Sequence, residues 1–128
     1  LQQHSLEMRL TLKNRGTSPV KVSPGFHPYF FRGGQAVQLD GVTYVDTAEF
    51  AGTQFVNGHE RNLQLAGRTL RLHSENLPRW ALWTDDLADY FCVEPTQGGN
   101  AFAENIAVAD TLAPGDERAY ILSIRWVK

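Results

Sequence analysis

The sequence has 128 residues but only one cysteine, Cys92, and one methionine, Met8. A lone cysteine forms no internal disulfide and supplies no cysteine-rich zinc cluster, so a reducing compartment is indicated and the expected location is the cytoplasm. Charge of one sign is also scarce: 12 Lys and Arg against 14 Asp and Glu leave a net charge of −2. Such a chain lacks the basic field that gathers a phosphate backbone, which excludes nucleic acid as a partner. Long apolar runs are missing too. Ala119 to Leu122 and Ile106 to Ala109 fall far short of the roughly 20 residues of a membrane-spanning helix, so no membrane partner is expected. No window longer than about ten residues repeats its apolar positions at helical spacing, which predicts little helix.

What the sequence does have is alternation. Leu6, Met8, Leu10 and Leu12 are interleaved with Glu7, Arg9, Thr11 and Lys13, the period of a strand with one buried face. Turn chemistry follows from Asn14 to Pro19, and Val20 to Val22 resume the extended pattern, so the opening reads as a hairpin. Further turn signals at Pro24-Gly25, Gly33-Gly34, Asp40-Gly41, Asn57-Gly58, Gly98-Gly99-Asn100 and Pro114-Gly115-Asp116 cut the rest into short runs. These are Tyr29 to Phe31, Val37 to Leu39, Val42 to Val45, Leu63 to Leu65 with Thr69 to Leu72, Trp80 to Trp83, Tyr90 to Val93 and Arg118 to Val127. About nine strands at this spacing predict an all-β fold, an antiparallel β-sandwich, with a closed barrel as the other arrangement. The stretch from Thr47 to Arg61 is irregular and is expected to be a long surface loop.

Two clusters carry candidate chemistry. In Pro24-Gly25-Phe26-His27-Pro28-Tyr29-Phe30-Phe31, the proline after His27 biases that residue toward extended backbone and fixes its direction. Histidine is the side chain that exchanges protons near neutral pH, although an isolated one at a turn is ordinarily structural. In Tyr90-Phe91-Cys92-Val93-Glu94-Pro95-Thr96, Glu94 closes an apolar strand on the same face as Cys92. Partial desolvation there would raise its affinity for a proton toward the range useful to a general base.

The Gly-x-His-Pro-Tyr-Phe stretch (Gly25 to Phe30), the later apolar-Glu-Pro-Thr strand (Cys92 to Thr96) and its Asn-Ala-Phe continuation (Asn100 to Phe102) together resemble the aldose 1-epimerase (galactose mutarotase) family. Asn14-Arg15-Gly16 after the opening strand, and Leu112-Ala113-Pro114-Gly115 before the last one, are similar to that family as well. The resemblance implies a part of a larger galactose mutarotase-like supersandwich and a small-molecule sugar, an aldohexose, as partner. It also implies a glutamate that takes the proton of the anomeric hydroxyl and a histidine that protonates the ring oxygen. By position these are Glu94 and His27, with neither metal nor other cofactor required. Asp46 matches a sugar-binding aspartate, with Asp40 as the alternative, and either is otherwise a turn residue. Tyr29, Phe31, Trp80 and Trp83 offer flat faces to a sugar or serve as core filler; Tyr29 is the one assigned to substrate. Trp80 and Trp83 face opposite ways on an extended segment, so at most one of them accompanies Glu94.

Other polar groups are weaker candidates. His4, His59 and His73 lack partners at metal-ligand spacing. Asp85, Asp86 and Asp89 read as a solvated acidic patch. Arg32 and Arg79 would matter for a sugar phosphate, since a guanidinium binds phosphate as a fork. Members of the family are longer, and their earlier half supplies an arginine and another histidine to the sugar. The sequence starts at Leu1 without a methionine and with a strand pattern almost at once, so residues 1–128 are expected to be the C-terminal portion of a mutarotase-like domain. Such a portion is expected to turn over weakly and to self-associate through uncovered strand edges. A non-catalytic carbohydrate-binding or structural sandwich, and a hexose-6-phosphate 1-epimerase, are the alternative functions.

Overall fold

The computed structural model describes residues 5–44, 52–65, 67–86, 89–98 and 109–127. Among these residues every regular element is a strand. The larger sheet has six strands in the order β1 (Ser5–Lys13), β12 (Glu117–Val127), β8 (Arg68–Glu75), β7 (Glu60–Leu65), β4 (Val37–Leu39) and β5 (Val42–Tyr44). The smaller sheet has four, in the order β3 (Tyr29–Phe31), β10 (Tyr90–Thr96), β9 (Arg79–Trp83) and β6 (Gln54–Asn57). A short ribbon pairs β2 (Val20–Val22) with β11 (Asp110–Leu112). All pairings are antiparallel, as the sandwich expectation requires.

Alternation decides what lies between the sheets. On β7 the odd residues Leu63 and Leu65 are buried, and on β8 Leu70, opposite Leu63, and Leu72, opposite Arg61, are buried with them. From the smaller sheet Phe30, Trp80, Leu82, Phe91 and Val93 point into the same core, joined by Val37, Leu39, Leu122 and Ile124. Burying such side chains supplies the main stabilisation, at about 25 cal/mol per Å² of apolar surface removed from water. The polar atom that Trp80 carries into the core is satisfied, because its indole N–H donates to the Gly58 carbonyl at 2.8 Å. The Arg61 guanidinium lies 5.8 Å over the Trp80 ring and also pairs with Asp40.

Two expectations are corrected. The opening does not form a hairpin: β1 pairs with β12 and β2 with β11. The cause is Asn14, which is buried and whose side-chain amide donates to the carbonyls of Ser18 (2.8 Å) and Leu112 (2.9 Å) while its Oδ1 accepts from the Gly16 N–H. Its backbone exchanges bonds with Asp116 and Gly115. The β1–β2 turn is thus fastened to the β11–β12 turn, so the β1–β12 pair is followed by the β2–β11 ribbon. The second correction concerns Thr47 to Arg61. Within it β6 and the first residues of β7 are strands, and residues 47–51 lie outside the described ones. On β6 all four residues are exposed, so this edge strand carries no buried alternation for sequence reading to detect. With these and β11, the described residues hold twelve strands, where about nine were expected for the sequence.

Candidate active site

The outward face of the smaller sheet collects the polar groups. The register pairs Cys92 with Tyr29 and Trp83, and Glu94 with Ala81, so Tyr90, Cys92 and Glu94 point away from the core in one row along β10. His27 reaches this row from the segment before β3. The segment is docked by backbone bonds from the Phe26 N–H to the Pro95 carbonyl (3.0 Å) and from the Gln97 N–H to the Pro24 carbonyl (2.9 Å), with Gly25 bridged to Thr96. A Cβ on Gly25 would stand 2.9 Å from the Pro95 carbonyl oxygen, so this approach requires glycine.

Docked in this way, His27 places its Nε2 3.2 Å from Oε1 of Glu94, with side chains 43% and 18% exposed. Behind the pair stands Cys92, fully buried. The donor atoms of His27, Cys92 and Glu94 all lie within 4.8 Å of one another. Burial raises the Glu94 carboxyl above its ordinary range, and the opposing pull of His27 and of the thiol hydrogen bond from Cys92 does not cancel it. The Cys92 thiol is pushed up to about 12, first by burial and then by the negative charges of Glu94 and Asp85. It therefore stays protonated at neutral pH and donates to the carboxylate.

Aromatic rings hold the imidazole. Tyr29 stacks on His27 with centroids 4.7 Å apart and planes within 11°, and Trp83 meets it edge-on at 6.2 Å. Tyr90 tilts against both Tyr29 (5.1 Å) and Trp83 (6.1 Å). Its hydroxyl donates to Asp85, and this bond, with burial, pushes the phenol up to about 12. Further along the face, Arg79 stands opposite Thr96, two residues beyond Glu94. Its guanidinium lies 4.8 Å from the Phe55 ring centroid, and Nη1 donates to the Gly98 carbonyl.

Of the residues singled out from sequence, the structure brings His27, Glu94 and Tyr29 together, and Asp46 lies outside the described residues. Asp40 is at a different place, paired with Arg61. Tyr29 and Phe31 are 59% and 70% exposed and do not fill the core, whereas Trp80 does; Trp83 is the tryptophan on the Glu94 face. His59 Nδ1 donates to the Ser74 carbonyl, and His73 faces Glu60, both away from the pair. Tyr90 and Asp85 were not singled out as site residues. Strand alternation from Cys92 already places Tyr90 on the Glu94 face, but the fold of the turn after β9 is needed to bring Asp85 to it.

No protein-family profile matches the sequence, and no curated protein matches it significantly. Solved structures do match. A candidate aldose 1-epimerase from Escherichia coli K12 superposes with a TM-score of 0.71 at 17% identity over 97% of this chain and 56% of its own. A galactose mutarotase-like protein from Lactobacillus casei gives 0.70 at 15% identity, over 94% of this chain and 58% of its own. A galactose mutarotase related enzyme from Lactobacillus acidophilus gives 0.72 at 13% identity, over 100% and 59%. The chain therefore has the galactose mutarotase-like sandwich fold, and it spans a little over half the length of these proteins.

Proposed function

We propose, from a chain with this fold, that it carries the acid–base pair of an aldose 1-epimerase and interconverts the α and β anomers of an aldose. The observation that supports this reading is the contact between His27 and Glu94 on the open face of the smaller sheet. The anomeric hydroxyl and the ring oxygen are bonded to the same carbon, C1, so an acid and a base acting on them must stand side by side. The Glu94 carboxylate takes the proton of the C1 hydroxyl while His27 gives a proton to the ring oxygen, and the C1–O5 bond breaks to leave an open-chain aldehyde. Rotation about C1–C2 presents the other face of the carbonyl. Reclosure returns the first proton from Glu94 to the C1 oxygen and the second from the C5 hydroxyl to His27, so the cycle balances.

Two features of the site favour these roles. Burial keeps Glu94 a stronger base than an exposed carboxylate, and the stacked Tyr29 fixes the imidazole plane while leaving an exposed ring face for the C–H side of a sugar. Asp46 is proposed to bind a sugar hydroxyl. The chain is proposed to be the C-terminal portion of a longer mutarotase-like domain located in the cytoplasm, with reduced turnover by itself because part of the sugar cradle lies elsewhere. The exposed Val42 on β5 and Phe55 and Val56 on β6 lie at sheet edges and favour self-association.

Polarimetry of freshly dissolved α-glucose and α-galactose tests the function. Faster mutarotation than in buffer, abolished by Glu94→Gln and His27→Asn, supports it. Sugar binding with no effect of either substitution on the rate would leave a non-catalytic carbohydrate-binding sandwich. A second reading, a hexose-6-phosphate 1-epimerase, is favoured by Arg79, whose cation stands on the same face about 7 Å along the strand from the Glu94 position. Faster turnover of glucose 6-phosphate than of glucose, lost in Arg79→Gln, would replace the first reading with this one.

A further inference from the structure

We propose that His27, Cys92 and Glu94 form a binding site for a zinc ion, which would occupy the face of the smaller sheet in place of sugar. Three unlike donors, an imidazole nitrogen, a thiol sulfur and a carboxylate oxygen, converge within 4.8 Å of one another. Zinc bonds of about 2.0 Å to nitrogen and oxygen and about 2.3 Å to sulfur, at the tetrahedral angle, place neighbouring donors of this set roughly 3.3–3.5 Å apart. His27 Nε2 and Glu94 Oε1 are already 3.2 Å apart, so closure around an ion asks only for side-chain movement of up to about 1.3 Å to bring the sulfur in from within 4.8 Å.

The supports of this trio are those of a built site. Cys92 and Glu94 sit two apart on one face of β10, which fixes their directions, and His27 is held by the Tyr29 stack. The sulfur is fully buried and the imidazole is half exposed, so an ion would have protein on one side and a fourth position open to water on the other. The donor set selects the metal: thiolate and imidazole favour zinc, cobalt or copper over magnesium and calcium, which take oxygen ligands. On binding, the Cys92 thiol releases its proton to solvent, and the two anionic ligands balance the charge of the ion.

Occupation would block proton transfer, because the ion would use the lone pairs that Glu94 and His27 offer to a substrate. This regulatory consequence rests on the epimerase reading above; the metal site itself does not. The test is cobalt(II) titration of the chelator-treated chain, read by the thiolate-to-cobalt charge-transfer band and the visible ligand-field bands, followed by displacement with zinc. One equivalent is expected to produce both bands. Cys92→Ala is expected to remove the charge-transfer band, and His27→Asn to weaken binding about tenfold or more. His73→Asn, at the exposed His73 and Glu60 contact, is expected to change nothing. Circular dichroism of each variant reports that the sheet is retained. Absence of a charge-transfer band in the unaltered chain, or a band that persists in Cys92→Ala, overturns the proposal. The spectrum is independent of turnover, so its failure removes the zinc site and leaves the epimerase reading in place. A full spectrum in a protein that does not accelerate mutarotation supports the zinc site and removes only the regulatory consequence.

Discussion

His27 stands directly opposite Glu94 in the register of β3 and β10. The pairing of Cys92 with Tyr29 is resumed at the bridge between Gly25 and Thr96 in the same antiparallel register, which brings His27 level with Glu94 and their polar atoms to 3.2 Å. Between the two stretches Pro28 and Pro95 have no N–H to offer, so the ladder is interrupted where the two side chains meet. The pair thus owes its geometry to strand register.

Gly25→Ala should disturb that register. Its Cβ would lie 2.9 Å from the Pro95 carbonyl oxygen, a backbone atom that cannot swing aside. The expected outcome is a folded protein with mutarotation slowed by about tenfold or more, since small displacements of a catalytic group are costly. Polarimetry with circular dichroism as the control checks this; an unchanged rate would show that Gly25 is not needed to dock the histidine.

Tyr29→Ala removes the ring stacked on His27 at 4.7 Å. Because Tyr29 is exposed, the urea midpoint should scarcely move, while the mutarotation rate should fall by about tenfold through loss of imidazole orientation. Tyr29→Phe keeps the stack and should retain most of the rate. Equal rates in Ala and Phe variants would contradict the positioning role.

Asn14→Ala should destabilise the chain by about 2 kcal/mol, because it leaves the Ser18 and Leu112 carbonyls and the Gly16 N–H without the partner they now have. Urea denaturation measures it. A shift within experimental scatter of zero would mean that the paired turns are not held by this side chain.

Asp110 gives the fold a dependence on pH. Burial pushes its carboxyl up, but bonds from Arg118, Tyr120 and the Thr111 N–H outweigh this and hold it below the usual range. A folded value below the unfolded one, about 3.9 for Asp, gives stability that is full above the unfolded value and is lost progressively as pH falls from there through the lower, folded value. Between about pH 6 and pH 2.5 the urea midpoint of the unaltered chain should therefore fall further than that of Asp110→Asn. Parallel falls would contradict the assignment.

Much of this arrangement was legible in the sequence, for physical reasons that also explain the misses. The alternation of Leu6 to Lys13 reports β1 because one of its faces is half-buried from Met8 to Leu12, and the apolar run of Tyr90 to Val93 reports β10 because core and site cover both of its faces. β6 is an exposed edge, and β11 is three residues long, so neither has a period to read. The supposed hairpin failed because turn residues do not say which strands they join; Asn14 makes that choice through bonds to Leu112, far along the chain. At the site, the shared face of Cys92 and Glu94 follows from alternation alone. The closeness of His27 to that face depends on non-local pairing, and the ring cage of Tyr29, Trp83 and Tyr90 depends on three strands at once.

The acid–base pair is tested most directly by saturation transfer between the α and β anomeric protons of glucose at equilibrium, with the unaltered chain, Glu94→Gln and His27→Asn compared against buffer. Exchange above the buffer rate is expected for the unaltered chain, with a loss of about 100-fold or more of that excess in each variant. Exchange that is undiminished in both variants would contradict the acid–base roles of His27 and Glu94.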